Sequence, residues 1–174
     1  MHIEESDNSQ TEDILRLHSD AFGPSEGPAI AQLVKDLLVA TDAQPHLSLV
    51  AVEGGICVGH ILFTPVTIDQ NSDSQVFILC PLAVAPAHHS TGIGTALIQR
   101  GLEILKERGA QVILVLGDPN YYSRSGFHTE HKVTAPYPLP YPEAWMAQAL
   151  QPGALMNLRG TARCAAPLQD PKHW

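Results

Sequence analysis

Two unbroken apolar runs frame the middle of the chain, and a helical stripe lies between them. The first run, within Gln75 to Val84, reads as a strand covered on both faces, and Pro86 stops it. From Ile93 the apolar residues Ile93, Ala96, Leu97, Leu102, Ile104 and Leu105 recur at helical spacing, with Lys106 and Arg108 in the last turn and Gly109 as the stop. The second run, Gln111 to Leu116, reads as another buried strand. Strand, helix and strand over residues 76 to 116 fit a right-handed parallel crossover.

The remaining pattern supplies the flanks. His2 to Glu5 suits a short first strand. Gln10 to Phe22 carries a helical stripe of Ile14, Leu15, Leu17, His18 and Ala21, broken by Gly23 and Pro24. Ser25 is the expected cap of a second helix with Pro28 in its first turn, and Phe22 to Gly27 reads as a lid-like turn between the two. Leu47 to Glu53 and Ile56 to Ile68 read as strands joined at Gly54-Gly55, a two-residue hairpin turn, and Asp69 to Ser74 as a polar turn. Asp118-Pro119 opens a short helix ending near Ser125. Gly126 to Ala135 is expected as a strand, Glu143 to Leu150 as a short helix, and Gly160 to Ala165 as a last strand. Pro136 to Pro142 reads as a rigid connection within one domain, so the expectation is one domain over residues 1–174.

Composition narrows the function classes. Apolar residues make up 44% and charged residues 16% of the 174, as in an ordinary globular protein. A formal net charge of -8 argues against a general nucleic-acid binder. No apolar run approaches the roughly 20 residues that span a bilayer, and the acidic start MHIEESDNSQTED has neither signal nor transit character. Cys57, Cys80 and Cys164 are scattered and set among apolar residues, which suits reduced thiols in a cytoplasmic protein.

The chemistry concentrates at the join between the first apolar run and the helix. Ser90, Thr91, Gly92, Ile93, Gly94 and Thr95 lie where the first helical N–H groups have no internal partner and the macrodipole is positive. Such a glycine-containing loop can hold a phosphate or pyrophosphate without a cationic side chain. The adjacent His88-His89 pair does not make a metal site, because neighbouring loop residues seldom point at one ion and no Cys or carboxylate cluster accompanies them. Ser90 and Ser123 lack the flanks of a nucleophile elbow.

LAVAPAHHSTGIG resembles motif A of the GNAT family of N-acetyltransferases, V-x-P-x-x-Q/R-x-x-G-x-G/A. Val84, Pro86, Gly92 and Gly94 match; His89 stands in place of Gln or Arg, and Ser90-Thr91 in place of a common Gly-Lys or Gly-Arg pair. GDPNYYSRSGF is similar to the family's Y-x-x-x-G-F element, with Tyr122 four residues before Gly126. With GHILFTPV, the form GDP-x-YY and PYPLP…QPGAL, the likeness extends over nearly the whole chain to the YhbS-like subgroup.

This resemblance implies a mixed α/β fold: a central, mostly antiparallel sheet splayed between two parallel strands, with helices on both faces. It implies acetyl-CoA as co-substrate, no metal, and acetyl transfer by direct attack of an amine, from a small molecule or a peptide. Leu82, Ala83 and Val84 would hold the pantetheine arm, the backbone N–H of Leu82 polarising the thioester carbonyl. His89 to Thr95 would hold the pyrophosphate, and Arg124 would approach a phosphate. Tyr122 would protonate the leaving thiolate.

His60 is the expected base, because imidazole titrates in the right range; Glu26, His128 and Glu130 read more simply as structural or solvated. The rival is an acyl-CoA-binding sensor without turnover. A doubly wound nucleotide-binding protein has the wrong order of elements. No membrane or nucleic-acid partner is expected, and monomer and homodimer both stay open.

Overall fold

The computed structural model describes residues 1–69, 71 and 75–174. In chain order the main elements are β1 (His2–Glu5), α1 (Thr11–Val39), β2 (Leu47–Glu53), β3 (Ile56–Ile68), β4 (Val76–Val84), α2 (Ile93–Glu107), β5 (Val112–Leu116), α3 (Pro119–Tyr122), β6 (Lys132–Thr134), β7 (Trp145–Ala149), β8 (Arg159–Arg163) and α4 (Ala166–Gln169). The sheet runs β1-β2-β3-β4-β5-β7, with β8 on the far end of β3 and β6 beside β8. Every pair along the main path is antiparallel except β4–β5. This is the expected mixed α/β sheet, with α1 on one face and α2 on the other. The turn expected over Asp69 to Ser74 lies outside the described residues apart from Asp69 and Asn71.

Period-two alternation along β3 assigns its side chains. Ile61 and Phe63 join the core beneath α2, whereas Leu62 and Val66 join the core beneath α1. Gly54 and Gly55, at φ 57° and 79°, form the β2–β3 turn, where both positions need positive φ. Gly101 lets the helix approach the sheet closely: a Cβ there would collide with the buried ring of Phe63.

Three expectations need correction. Residues 11–39 are two helices meeting at a kink, as expected, and the correction is to where the second begins. Gly23 is the non-helical residue, at φ 80° and ψ 176°, and Pro24 rather than a Ser25 cap follows it. Gly27 closes the corner, since a Cβ there would strike the Ser19 carbonyl. Glu143 to Leu150 is not a helix. Trp145 and Ala147 face the α1 core and Met146 the α2 core, so the run is strand β7 against β5. Of Gly126 to Ala135, only Lys132–Thr134 is strand, with an isolated bridge from His128 to Ala147.

One polar chain interrupts the core under α1. His18 Nε2 lies 2.7 Å from His60 Nδ1, His60 Nε2 lies 2.8 Å from Ser48 Oγ, and Ser48 Oγ lies 2.6 Å from Ser6 Oγ. Both imidazoles are fully buried. Burial lowers His18 to about 4 and pushes His60 well down, with His18 and His46 adding to the effect on His60.

Two measurements check this packing. Gly101→Ala should gain ~1 kcal/mol by helix propensity alone, yet overpacking against Phe63 costs about 1–3 kcal/mol, so a net loss is expected in urea unfolding. A more stable variant would contradict the close approach. The second concerns acid. Below pH 6.5 the unfolded chain binds protons that native His18 refuses, so stability falls with pH from 6.5 towards about 4. The loss from His18 alone is about 3 kcal/mol. His18→Gln should flatten the pH dependence of the urea midpoint in that window, and an unchanged slope would count against the assignment.

Candidate functional site

The site begins where two parallel strands part. β4 pairs with β5 from Val76–Val112 to Leu79–Val115 and no further, while β4 continues beside β3 to Val84. The register with β3 shifts between Ile61 and Phe63, placing Cys80 and Pro81 at a bulge where the separation starts. Beyond it the hydrogen bond from Ala85 N–H to Val58 O, at 2.8 Å, sets the phase of the ladder. Val84–Gly59 and Leu82–Ile61 are then the non-hydrogen-bonded pairs, so the N–H and C=O groups of Leu82 and Val84 turn away from β3 into the gap. The Val84 carbonyl faces that way, accepting from His89 Nε2 at 2.8 Å.

The loop at the mouth of the gap is shaped by two left-handed residues, Ser90 at φ 61° and Gly92 at φ 87°. They bring the chain into α2 with no side chain capping its N-terminus. Its first N–H groups and the positive end of its dipole are therefore available to an anion. A Cβ at Gly92 would meet nothing within 4 Å, so open space lies against the backbone there.

The opposite wall comes from the segment after β5. Asp118 caps α3 by accepting from Asn120 N–H at 2.9 Å, and Pro119 occupies its first turn. Tyr122 lies over Gly117, where a Cβ would collide with its ring. Its ring meets Tyr121 edge-on at 5.0 Å and Phe127 at 5.9 Å. Gly126, at φ 94°, turns the chain so that buried Phe127 returns onto Tyr122. Tyr121 closes the other side, with its hydroxyl against Gly94.

Burial, with smaller contributions from Tyr121 and Cys80, raises the Tyr122 phenol well above its ordinary value, so it stays protonated. The Cys80 thiol is pushed up to about 12 by burial, as is that of Cys164, with Cys80 contributing; burial also raises Cys57.

Together these walls enclose a cleft of about 620 Å³, lined by Leu82, Val84, residues 88 to 95, Tyr121, Tyr122 and Arg124. Ala83 and His60 stand apart from it. Both are buried, and Ala83 is the cross-strand partner of His60. The expectation that His60 faces the cleft therefore fails, because its strand phase carries the ring under α1. Glu26, His128 and Glu130 are exposed and away from the lining. His88 and Tyr121 line the cleft although sequence spacing did not select them. The signal for Tyr121 was its pairing with small Gly94, which only the fold brings together. Among the described residues no cluster of three metal-ligating side chains occurs, and no helix is long and apolar enough to cross a membrane.

Comparison with known proteins agrees with this architecture. Residues 11–128 match the family model for the acetyltransferase (GNAT) family. The chain is 42% identical over 170 residues to the uncharacterized N-acetyltransferase YjhQ of Escherichia coli, covering 93% of this chain and 91% of that one. The crystal structure of the GNAT family N-acetyltransferase YhbS from Escherichia coli in complex with CoA superposes with a TM-score of 0.87 at 29% identity, over 98% of this chain and 92% of that one. A GNAT family acetyltransferase from Brucella melitensis in complex with acetyl-CoA gives a TM-score of 0.78 at 30% identity, over 96% and 97% of the two chains. A glycine loop opening an uncapped helix beside two parting strands thus occurs in a chain that belongs to the GNAT family of acetyltransferases.

Proposed function

We propose that this acetyltransferase moves an acetyl group from acetyl-CoA directly onto the amine of a small molecule or peptide, in the cleft between β4 and α3. The observation that carries the reading is the unpaired edge of β4 facing the raised, protonated phenol of Tyr122. The pyrophosphate sits over Ser90 to Thr95 on the α2 N-terminus, with Arg124 across the cleft. The pantetheine arm takes the place β5 vacates, pairing with Leu82 and Val84 as a strand would. The Leu82 N–H then meets the thioester oxygen, where negative charge develops as the amine attacks.

The tetrahedral intermediate collapses by breaking the C–S bond, and the Tyr122 hydroxyl gives its proton to the departing sulfur. The phenol is a weaker acid here than in water, but the same desolvation raises a thiol, as it does Cys80 beside it. Donor and acceptor therefore shift together. Cys80 does not carry the acyl group: with its thiol at about 12, roughly one molecule in 10⁵ is thiolate at pH 7. The retained Tyr122 also favours turnover over a sensor role.

A screen of aminoglycosides, polyamines, amino acids and peptides for acetyl-CoA-dependent thiol release tests the function, and no release with any amine would oppose it. Tyr122→Phe should lower kcat by roughly 10²-fold with little change in CoA affinity, and wild-type turnover would remove Tyr122 from the chemistry. Gly92→Val fills the open space against the loop with a β-branched side chain at a positive φ. It should weaken CoA binding at least ~10-fold by calorimetry, about 1.4 kcal/mol. A folded variant with unchanged affinity would displace the pyrophosphate site.

A further inference from the structure

One hydrogen-bonding position along the cleft is already filled by the protein itself. Val84 ends β4 with its carbonyl turned into the gap, and that oxygen accepts from His89 Nε2 at 2.8 Å. A carbonyl cannot donate, so the bond fixes the tautomer: the ring carries a proton on Nε2. His89 thereby supplies the donor that β5 supplies further back along β4, before the two strands part. A pantetheine arm laid along β4 as a strand needs the same oxygen for an amide N–H of its own.

The ring can leave while the loop stays. His89 is exposed, whereas the backbone around it is tied down. His88 N–H donates to the Ala85 carbonyl at 2.8 Å, and His89 N–H to the Pro86 carbonyl at 3.3 Å. His88 Nε2 donates to Glu53 at 2.9 Å, which fastens the turn to the end of β2, and the Thr91 hydroxyl donates to the His88 carbonyl. None of these bonds passes through the His89 ring. Its contact with Val84 therefore opens by rotation of one side chain, with no change at the left-handed residues Ser90 and Gly92 that shape the loop.

We propose that His89 is an internal competitor for the cofactor: it occupies the Val84 carbonyl when the cleft is empty, and the pantetheine arm must displace it to bind. The inference rests on the acetyl-CoA reading above, and in particular on the arm pairing with β4.

The exchange of partners sets both sign and size. In the empty protein an unpaired strand edge is open to any extended chain, and the imidazole blunts that edge at Val84. On binding, the His89–Val84 bond gives way to an arm–Val84 bond, and the ring returns to water. With no side chain at position 89, water would hold the oxygen and would be displaced at smaller cost. The difference is the net worth of one intramolecular hydrogen bond, a factor of about 2 to 12 in affinity. His89 thus makes CoA compounds bind more weakly than the cleft allows, and it gives the Val84 oxygen a replacement partner as product CoA departs. A ligand with the pyrophosphate and no arm meets no such competition, since it asks nothing of Val84.

His89→Ala tests this by titration with CoA, which has the arm, and with ADP, which lacks it. CoA should bind about 5-fold more tightly to the variant than to wild type and leave more slowly in stopped flow, while ADP should bind both proteins equally. His89→Gln keeps a donor at the Nε2 position and should return CoA affinity to the wild-type value. Unchanged or weaker CoA binding by His89→Ala overturns the competition, and so does an equal gain for ADP, which would place the effect in the loop. Nitrogen-15 spectra of the wild-type imidazole give an arm free of any variant. The proton should sit on Nε2 in the empty protein, stay there with ADP, and lose that preference with CoA. A proton on Nδ1 in the empty protein, or an ADP effect equal to that of CoA, overturns the assignment. Wild-type protein that does not bind CoA at all would strike the cofactor reading itself, and the competition with it.

Discussion

A sheet can tolerate an unpaired strand edge at its margin, but here one opens in its middle. β4 and β5 share four residue pairs and then separate, leaving the Leu82 backbone groups and the Val84 N–H facing a gap, while the Val84 carbonyl takes His89. Such groups require a partner, from water or from a ligand with amide character. The rest of the molecule keeps the gap open at one end and closed at the other. The bulge at Cys80-Pro81 starts the divergence, α2 and its loop border the mouth, and α3 with Phe127 wedges Tyr122 into the far wall. β7 closes β5 on its outer side, so β5 cannot swing across to heal the break.

The two faces of the sheet carry different physics. Beneath α2 the contacts are apolar and close, with Gly59 accepting Ile93 and Leu97 and Gly101 accepting Phe63. Beneath α1 the apolar packing is interrupted by the histidine–serine chain. That chain is a stability liability in acid, whatever else it does, since two neutral imidazoles are held away from water. The α2 face offers backbone donors at the uncapped start of its helix. The α1 face holds titratable groups and a kinked pair of helices.

Much of this was legible from patterns of residues. The β2–β3 hairpin, the β4–α2–β5 crossover, the loop at Ser90 to Thr95 and the Y-x-x-x-G-F turn all have strong local signals: paired glycines, continuous apolar strands, a 3.6-residue stripe. Elements with weak local signals were misread. AWMAQAL holds its three consecutive buried residues in two different cores, which a short window cannot distinguish from a helix. The break at Gly23-Pro24 was read correctly, but helical geometry resumes at Pro24, so Ser25 lies inside the second helix instead of capping it. His60 was placed by chemistry rather than by strand phase, and phase decided which face it occupies. Tyr121 was passed over because it does not fit the Y-x-x-x-G-F spacing, and its partner, Gly94, is distant in sequence.

That last contact ties the loop before α2 to the wall that carries Tyr122. Gly94 opens α2 and Tyr121 lies on α3, and the hydroxyl of one occupies the space a side chain of the other would need. The two positions share a fixed volume. Across descendants of this chain they should drift as a pair, a larger residue at 94 arriving only with a shorter one at 121. Any such exchange would also reset the angle at which the neighbouring Tyr122 enters the cleft, so the width of the loop and the aim of the Tyr122 hydroxyl are a single inherited variable.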